Sequence, residues 1–159
     1  MRKQKGFTLI ELLIVIGIIS ILAAIIYVAV DPARRFAETR NADRWTACYA
    51  ILNAVLTYTS DHVGTMPSSL ESASANVNYV VGTGGANGCA DANCGAVINS
   101  DSCLDMTTAL VDEYLSSIPK DPLTGTAANT DYYIRKTTNG RILVGACDPE
   151  RSAVIYVQR

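Results

Sequence analysis

The stretch that decides the fold lies near the N-terminus and reads Gly6-Phe7-Thr8-Leu9-Ile10-Glu11-Leu12-Leu13-Ile14-Val15-Ile16. It opens a segment, residues 7–30, in which 20 of 24 positions are apolar. Residues 12–30 contain no charge. A helix needs about 20 apolar residues to cross about 30 Å of hydrocarbon, so this run is close to long enough. We therefore predict a membrane-spanning helix at residues 7–30.

Three basic residues, Arg2, Lys3 and Lys5, precede this segment. The positive-inside rule places Met1 in the cytoplasm and everything after Val30 on the outer side. A cleavable secretory signal is the first alternative, but its apolar core has only about 7 to 15 residues and ends at a small-residue site. No such small-residue cleavage site follows the apolar segment at residues 7–30. A plain single-pass anchor is the second alternative.

A plain anchor leaves Glu11 unexplained, because this carboxylate lies between Ile10 and Leu12. A charge at mid-bilayer costs roughly 2.5 to 3.5 kcal/mol, so a partner is expected. The next cationic side chain along the chain is Arg34. The partner must therefore be an α-amino group or belong to another molecule.

The basic leader, the Gly6-Phe7 junction, the acid at Glu11 and the long apolar run together resemble the type IV pilin and type II secretion pseudopilin superfamily, almost position by position over residues 5–26. The resemblance implies that a prepilin peptidase removes leader residues 1–6 by cutting between Gly6 and Phe7. It also implies that the new α-amino group of Phe7 is N-methylated. Glu11 would then pair with the Phe7 ammonium of a neighbouring subunit during filament assembly.

The resemblance also implies a set of partners and a location. The partners are identical or related pilin subunits, the prepilin peptidase, and the assembly ATPase and platform protein of the filament machine. The precursor would be a single-pass protein of the cytoplasmic membrane. The assembled form would be a cell-surface or periplasmic filament.

Asp31-Pro32 interrupts the helical pattern, because proline lacks an N–H and disfavours the helical conformation of the residue before it. Asp31 can cap a new helix in which Pro32 is the first residue. We predict a kink here, followed by an amphipathic helix at residues 31–63. Its apolar positions are predicted to form the core against a sheet: Trp45, Cys48, Tyr49, Leu52, Val55, Leu56 and Thr59.

Residues 64–159 are predicted to complete a globular head. Residues 104–115 have the pattern of a short amphipathic helix, and residues 78–81 that of a short strand. Three β-rich runs at residues 132–137, 141–147 and 153–157 are separated by turn sequences, including Asn139-Gly140. The fold class is therefore α+β and pilin-like, with a long kinked N-terminal helix packed on a small antiparallel sheet of about three strands.

Five cysteines lie on the side predicted to be outside, where disulfides persist: Cys48, Cys89, Cys94, Cys103 and Cys147. An odd number leaves one unpaired within a single chain. Cys48 lies on the apolar stripe, so we predict that it is a buried free thiol. The other four allow three pairings, of which we favour Cys89 with Cys94 and Cys103 with Cys147.

The sequence offers little for a metal, a cofactor or catalysis. The one histidine, His62, is far from the cysteines, which argues against zinc and against a nucleophilic triad. Some pseudopilins bind calcium, but the aspartates of the head form no recognisable ligand series, and we expect them to be solvated: Asp91, Asp101, Asp105, Asp121 and Asp131. We predict no cofactor and no enzymatic activity.

Without the three leader charges the chain has 10 basic against 15 acidic residues, a balance that argues against a basic nucleic-acid-binding surface. The predicted function is a structural subunit, either a type IV pilin or a pseudopilin. The alternative is a monomeric membrane-anchored protein whose outer domain binds a ligand.

Overall fold

The computed structural model describes residues 6–89, 94 and 100–159. The chain divides into two compact units, Met1–Ala37 and Glu38–Arg159. Leader residues 1–5, with their three basic side chains, and Asp91 lie outside the described residues.

The first unit is helical and contains helix α1, Leu9–Val30, and the start of helix α2, Pro32–Asp61. At Asp31-Pro32, the predicted site of a kink, Asp31 separates the two helices and Pro32 begins α2. Asp31 has a left-handed backbone conformation (φ 44°, ψ 77°), which ends α1. Its carboxylate accepts a hydrogen bond from the backbone N–H of Arg34 at 3.3 Å. This bond satisfies one of the free N–H groups at the start of α2, whose first residue is proline.

The second unit combines the rest of α2 with short helices and one sheet. Its elements after α2 are α3, Ser68–Ser72; β1, Tyr79–Val80; a 3₁₀ turn, Gly85–Asn87; α4, Thr107–Leu110; β2, Tyr132–Lys136; β3, Ile142–Ala146; and β4, Tyr156–Gln158. The strands form one antiparallel sheet in the order β1-β2-β3-β4.

The predicted α+β fold with a small antiparallel sheet is confirmed. The sheet has four strands rather than about three, because Tyr79 and Val80 pair with Ile134 and Tyr133 of β2. The β2–β3 hairpin turns at the predicted Asn-Gly sequence. Gly140 has φ +77°, a left-handed backbone conformation that residues other than glycine rarely adopt.

The core lies between α2 and one face of the sheet. In the second unit the buried side chains of α2 are Arg44, Ala47, Cys48, Ile51, Leu52, Ala54 and Val55. The apolar ones pack against strand residues Tyr132, Ile134, Ile142, Val144 and Val157. Burial of each large aliphatic side chain contributes roughly 1.5 to 3 kcal/mol.

The prediction that Trp45 and Tyr49 form this core was wrong in detail. Their side chains are 38% and 52% exposed, and they lie at the edge of the buried stripe. The stripe is centred on Cys48, Ile51 and Val55 instead. Three- and four-residue spacing identified the helix, but several overlapping stripes satisfy that spacing, and only the position of the sheet selects one of them.

The helix predicted at residues 104–115 is much shorter and comprises only Thr107–Leu110. Val111 is extended, and Asp112 has φ +78°, so the helix cannot continue past Leu110. The apolar positions after it are still partly buried, because Tyr114 and Leu115 pack on the core from an irregular turn.

The predicted disulfide pairing was wrong, although the four cysteines are paired. Cys89 is bonded to Cys103 and Cys94 to Cys147, with Cα–Cα distances of 5.2 and 4.8 Å. The backbone explains the first pair: the N–H of Cys89 donates to the Asp101 carbonyl, and the N–H of Cys103 donates to the Gly85 carbonyl. Two stretches distant along the chain are thereby held side by side.

Cys48 is the free, buried cysteine, as predicted. Burial raises the pKa of its thiol to about 12. Since the thiolate is the reactive form, Cys48 has the character of a small apolar core residue rather than a nucleophile.

Candidate functional site

The N-terminal segment carries the motif residues singled out in the sequence, and they lie at the start of α1. Gly6, Phe7 and Thr8 precede the helix, and the Phe7 side chain is 87% exposed. Thr8 is the N-cap residue, with an extended backbone (φ −83°, ψ 154°). The predicted cleavage junction therefore lies in non-helical backbone directly before the apolar helix.

Glu11 closes a capping box with Thr8. The backbone N–H and the hydroxyl of Thr8 each donate to the same Glu11 carboxylate oxygen, Oε2, at 2.8 Å. In return the N–H of Glu11 donates to the Thr8 hydroxyl at 3.3 Å. These bonds satisfy donors at the helix start. They do not neutralise the carboxylate, because both of its donors are uncharged groups.

Helix α1 is apolar on every side and has no buried residue. It contains 22 residues, most of them aliphatic. At about 1.5 Å per residue it is roughly 33 Å long, enough to cross a bilayer. Among the residues described, it is the one helix whose length and composition allow this.

The second unit contains a charged cluster that the sequence did not reveal, formed by Arg40, Asn41 and Arg44 of α2 with Asp121 and Glu150. The fully buried Arg44 guanidinium donates to both oxygens of the Asp121 carboxylate, from Nε at 2.6 Å and from Nη2 at 3.1 Å. Its Nη1 donates to Asn41 at 2.9 Å and to Glu150 at 3.0 Å. Such two-pronged pairing is the strongest ion-pair geometry available to arginine.

Glu150 joins the cluster from the connection between β3 and β4. Its carboxylate accepts two hydrogen bonds from Arg40, with Nε at 2.6 Å. Its backbone N–H and carbonyl both bond the Asn41 side-chain amide, at 3.0 and 2.9 Å. Arg40 and Arg44 are one turn apart on α2 and would repel each other, but Glu150 lies between them and bridges both.

Asp121 adds a third segment of the chain. Its Oδ1 accepts backbone N–H bonds from Leu123 at 2.9 Å and from Thr124 at 3.3 Å, which holds residues 121–124 as a tight turn. Arg44 thereby connects α2, this turn and the β3–β4 connection. We call these five residues the Arg44 clamp: Arg40, Asn41, Arg44, Asp121 and Glu150.

The clamp shifts the pKa of its members. Burial by itself would lower the pKa of Arg44 and raise that of Asp121. For Arg44, the hydrogen bonds and charge attraction of Asp121 and Glu150 together outweigh burial, so its pKa is raised. For Asp121, the hydrogen bonds and charge of Arg44, with the backbone N–H groups of Leu123 and Thr124, together outweigh burial, so its pKa is lowered. The hydrogen bonds from Arg40, followed by those from Arg44, lower the pKa of Glu150 to about 2. All four charges are therefore present at neutral pH.

Sequence reasoning missed the clamp because charged residues are expected on the surface. A signal was present: Arg44 precedes Cys48 by four residues, so the helical period places it on the buried stripe. Asp121-Pro122 and Pro149-Glu150 are turn-forming sequences, but nothing local indicates that the two turns meet at one arginine.

The predicted metal and catalytic candidates are not brought together. In the described parts of the chain, no three side chains among His, Cys, Asp and Glu are grouped closely enough to hold a metal ion. The expectation that the aspartates are solvated was wrong for Asp121, which is paired with Arg44, and for Asp131, since both are buried. Asp101 and Asp105 are exposed, as expected. The His62 ring stacks on Tyr58 at 3.9 Å between ring centroids.

The chain is similar to known proteins in two respects. Residues 1–27 match the family model described as the prokaryotic N-terminal methylation motif. The chain is also 39% identical over 94 residues to the type IV wide pilus major component PilA4 of Thermus thermophilus, an alignment that covers 55% of this chain and 70% of that protein. No solved structure matches the chain.

We expect Arg44→Ala to destabilise the second unit by roughly 3 to 5 kcal/mol, because it leaves the buried Asp121 carboxylate without its cation. Arg40→Ala is the matched control, with the same residue type and the same partner Glu150. Arg40→Ala should lower the free energy of unfolding much less, since Arg40 is partly exposed. Urea unfolding of the full chain in mild detergent, followed by the fluorescence of Trp45, the single tryptophan, measures both. Equal losses would contradict a special role for the buried arginine.

Acid should weaken the second unit through the clamp. A carboxylate whose pKa is lower in the folded than in the unfolded chain stabilises the fold above its unfolded pKa, about 4.3 for glutamate. For Glu150 this contribution is lost as the pH falls toward its folded pKa of about 2. The free energy of unfolding should therefore fall between about pH 5 and pH 2.

Glu150→Gln should be less stable at pH 7 but show a shallower decline over the same interval. Glu71→Gln, at an exposed glutamate outside the clamp, serves as the control. A decline with pH in Glu150→Gln as steep as in the wild type would contradict this assignment.

Proposed function

Because the chain belongs to the type IV pilin family, we propose that it is a structural subunit of a type IV pilus. Its precursor is held in the cytoplasmic membrane by α1, with the leader on the cytoplasmic side and Glu38–Arg159 outside. After processing, α1 leaves the membrane and packs against the same helix of neighbouring subunits. The second unit then forms the filament surface.

The observation that carries this proposal is that α1 is strongly apolar and yet has no buried residue. Apolar surface transferred from water stabilises by roughly 25 cal/mol per Å², so a helix of this kind does not remain in water. Hydrocarbon covers it in the precursor. Copies of the same helix cover it in the filament, where a helix apolar on all sides suits a core position.

Processing at Gly6–Phe7 converts the membrane-held precursor into the subunit that enters the filament. Gly6 has no side chain, and no atom of the described residues lies within 4 Å of the position that a Cβ would occupy there. Together with the non-helical backbone of residues 6–8, this supports access by a prepilin peptidase. Cleavage removes the leader charges and creates the α-amino group at Phe7, which is then N-methylated and remains cationic.

Glu11 is the residue we assign to assembly. In the single chain its carboxylate is bonded only by uncharged Thr8 groups, among the bonds that the structure describes. In a core of packed helices an uncompensated charge is costly, whereas a charge paired with a cation is tolerated. The Phe7 ammonium of the preceding subunit supplies that cation, so only a correctly staggered subunit is accepted.

This function requires the machinery that type IV pilins use. We propose that a prepilin peptidase processes the chain and that an assembly ATPase and a platform protein drive its extraction from the membrane. The relative from Thermus thermophilus is named as the major component of a wide pilus, which favours a pilus over a secretion pseudopilus. The rival function is a monomeric membrane-anchored binding domain, which needs neither processing nor assembly.

Mass spectrometry of the membrane-extracted protein distinguishes the two functions. We expect a mature chain that begins at Phe7 and carries one added methyl group on its α-amine. Gly6→Val should retain the full leader, because a branched side chain obstructs the close approach of the peptidase. A wild-type chain that still begins at Met1, without methylation, would refute the filament proposal.

Glu11→Ala should leave membrane insertion intact and reduce the filament yield by more than about tenfold. Loss of one partner of a buried charge pair costs roughly 2 to 5 kcal/mol, and each 1.4 kcal/mol is a factor of ten. Thr8→Val is the matched control, since it removes the hydroxyl of the capping box and keeps the carboxylate. Electron microscopy of sheared filaments measures the yield. An equal loss in Thr8→Val would assign the effect to helix capping instead.

A further inference from the structure

The sheet has a cleft on the face that points away from α2. Its volume is about 280 Å³. The lining includes side chains from β2, β3, β4 and the residues just before β4: Tyr133, Arg135, Leu143, Val154, Tyr156 and Gln158. Val144 and Val157 belong to the core under α2 and alternate with these positions along β3 and β4. Since successive side chains of a strand point to opposite faces, the cleft lies on the outer face of the sheet.

The strand register brings the cleft residues together. They form two neighbouring rows of opposed residues: Arg135, Leu143 and Gln158 in one row, and Tyr133, Gly145 and Tyr156 in the next. Side chains at directly opposed positions share one face of a sheet and are close to each other. One guanidinium, two phenol groups and one amide therefore line a short stretch of the same surface.

The floor of the cleft is tightly packed. A Cβ atom at Gly145 would lie 2.5 Å from both Cζ and the hydroxyl oxygen of Tyr133, so the phenol ring lies over the glycine. Tyr133 and Leu143 are buried in a cluster that contains cysteines of both disulfides. A floor that is fixed before a ligand arrives reduces the entropy lost on binding.

Arg135 has no partner for its charge among the described residues. Its Nε is buried without a hydrogen bond there, although most buried polar groups of proteins have one. Arg135 is part-exposed and lines the cleft, so its terminal N–H groups are the ones that a ligand reaches. None of the described residues that line the cleft is acidic. The cleft therefore offers one uncompensated positive charge to an anion.

The chemistry of Arg135 favours a carboxylate as that anion. A planar guanidinium presents paired N–H groups that match the two oxygens of a carboxylate, as Arg44 does with Asp121 in the same molecule. A single cation also balances a singly charged group better than a doubly charged phosphate.

The neutral groups around Arg135 favour a sugar as the carrier of the carboxylate. The Gln158 amide and the Tyr133 and Tyr156 hydroxyls can donate and accept hydrogen bonds, which suits the hydroxyl groups of a sugar. Tyr156 is 48% exposed and Val154 is 73% exposed, so both offer apolar surface to the C–H face of a sugar ring.

A peptide fits the cleft less well than a sugar. An extended peptide binds a sheet chiefly through the open backbone groups of an edge strand. The strand under the centre of the cleft is β3, which is paired on both sides, with β2 and with β4. Its backbone groups are therefore already used.

We propose that this cleft binds an acidic sugar, a sugar unit that carries a carboxylate. Arg135 binds the carboxylate, Gln158 and Tyr133 hydrogen-bond the hydroxyl groups, and Tyr156 packs against the ring. All of these residues belong to Glu38–Arg159. The site goes beyond the proposed function and does not depend on filament assembly.

Isothermal titration calorimetry of the full chain, in a mild detergent that contains no sugar, tests the site with a trimer of galacturonic acid. We expect Arg135→Gln to lower the affinity for this probe by about ten- to one-hundredfold, because hydrogen bonds to a charged group are lost. Arg151→Gln is the matched control, since Arg151 carries the same charge, is exposed and does not line the cleft. A galactose trimer of the same linkage, which lacks the carboxylates, should bind at least tenfold more weakly than the acid.

Three results would overturn the inference: no binding of the galacturonic acid trimer to the wild type, equal losses in the two arginine variants, or equal binding of a glutamate trimer. The last result would assign the cleft to acidic peptides. None of them bears on processing at Phe7, which mass spectrometry measures separately, so the failures of the site and of the pilus function are distinguishable.

Tyr156→Ala tests the site without changing its charge. We expect this variant to bind the galacturonic acid trimer more weakly than the wild type, because the ring loses its apolar contact. The urea midpoint of unfolding, followed by Trp45 fluorescence, checks that this variant and Arg135→Gln are folded. An affinity of folded Tyr156→Ala equal to that of the wild type would contradict a sugar ring at this position.

Discussion

The structure depends on one constraint: the apolar surface of α1 must be removed from water, and the described part of the single chain does not bury it. Every side chain of this 22-residue helix is exposed. Burial in hydrocarbon or among other helices is the only favourable state for such a surface. The single chain is therefore incomplete as a folded molecule, and its N-terminal part becomes stable only in a membrane or a polymer. The same constraint applies to Glu11, because an uncompensated carboxylate is unfavourable in a membrane and in a core of packed helices alike.

In the second unit, two kinds of interaction hold the long helix α2 on the small sheet. Apolar packing along Cys48, Ile51 and Val55 supplies the attraction, but it specifies the position of the helix poorly. The Arg44 clamp is directional, because the N–H groups of a planar guanidinium donate to two carboxylates only in a fixed geometry. It ties α2 to the 121–124 turn and to the β3–β4 connection.

Some elements were predictable because their signals are local. The apolar run, the Asp31-Pro32 interruption and the Asn139-Gly140 hairpin each follow from the chemistry of adjacent residues. Other elements depend on partners distant along the chain. Trp45 was assigned to the core because helical spacing alone does not say which stripe faces the sheet. The disulfide pairing was predicted wrongly because Cys94 bonds Cys147 at a sequence separation of 53, and no local signal indicates that the two are close.

The sequence by itself determined that the chain has a membrane-length apolar helix, a family-typical junction at Gly6 and Phe7, and a small α+β unit. It could do so because hydrophobicity, charge and turn chemistry act over a few residues. Only the tertiary structure decided that Arg44 is buried between Asp121 and Glu150, that Cys89 pairs with Cys103, and that Trp45 lies at the edge of the buried stripe. Each of these depends on which distant segments touch, and that is set by the packing of α2 against the sheet.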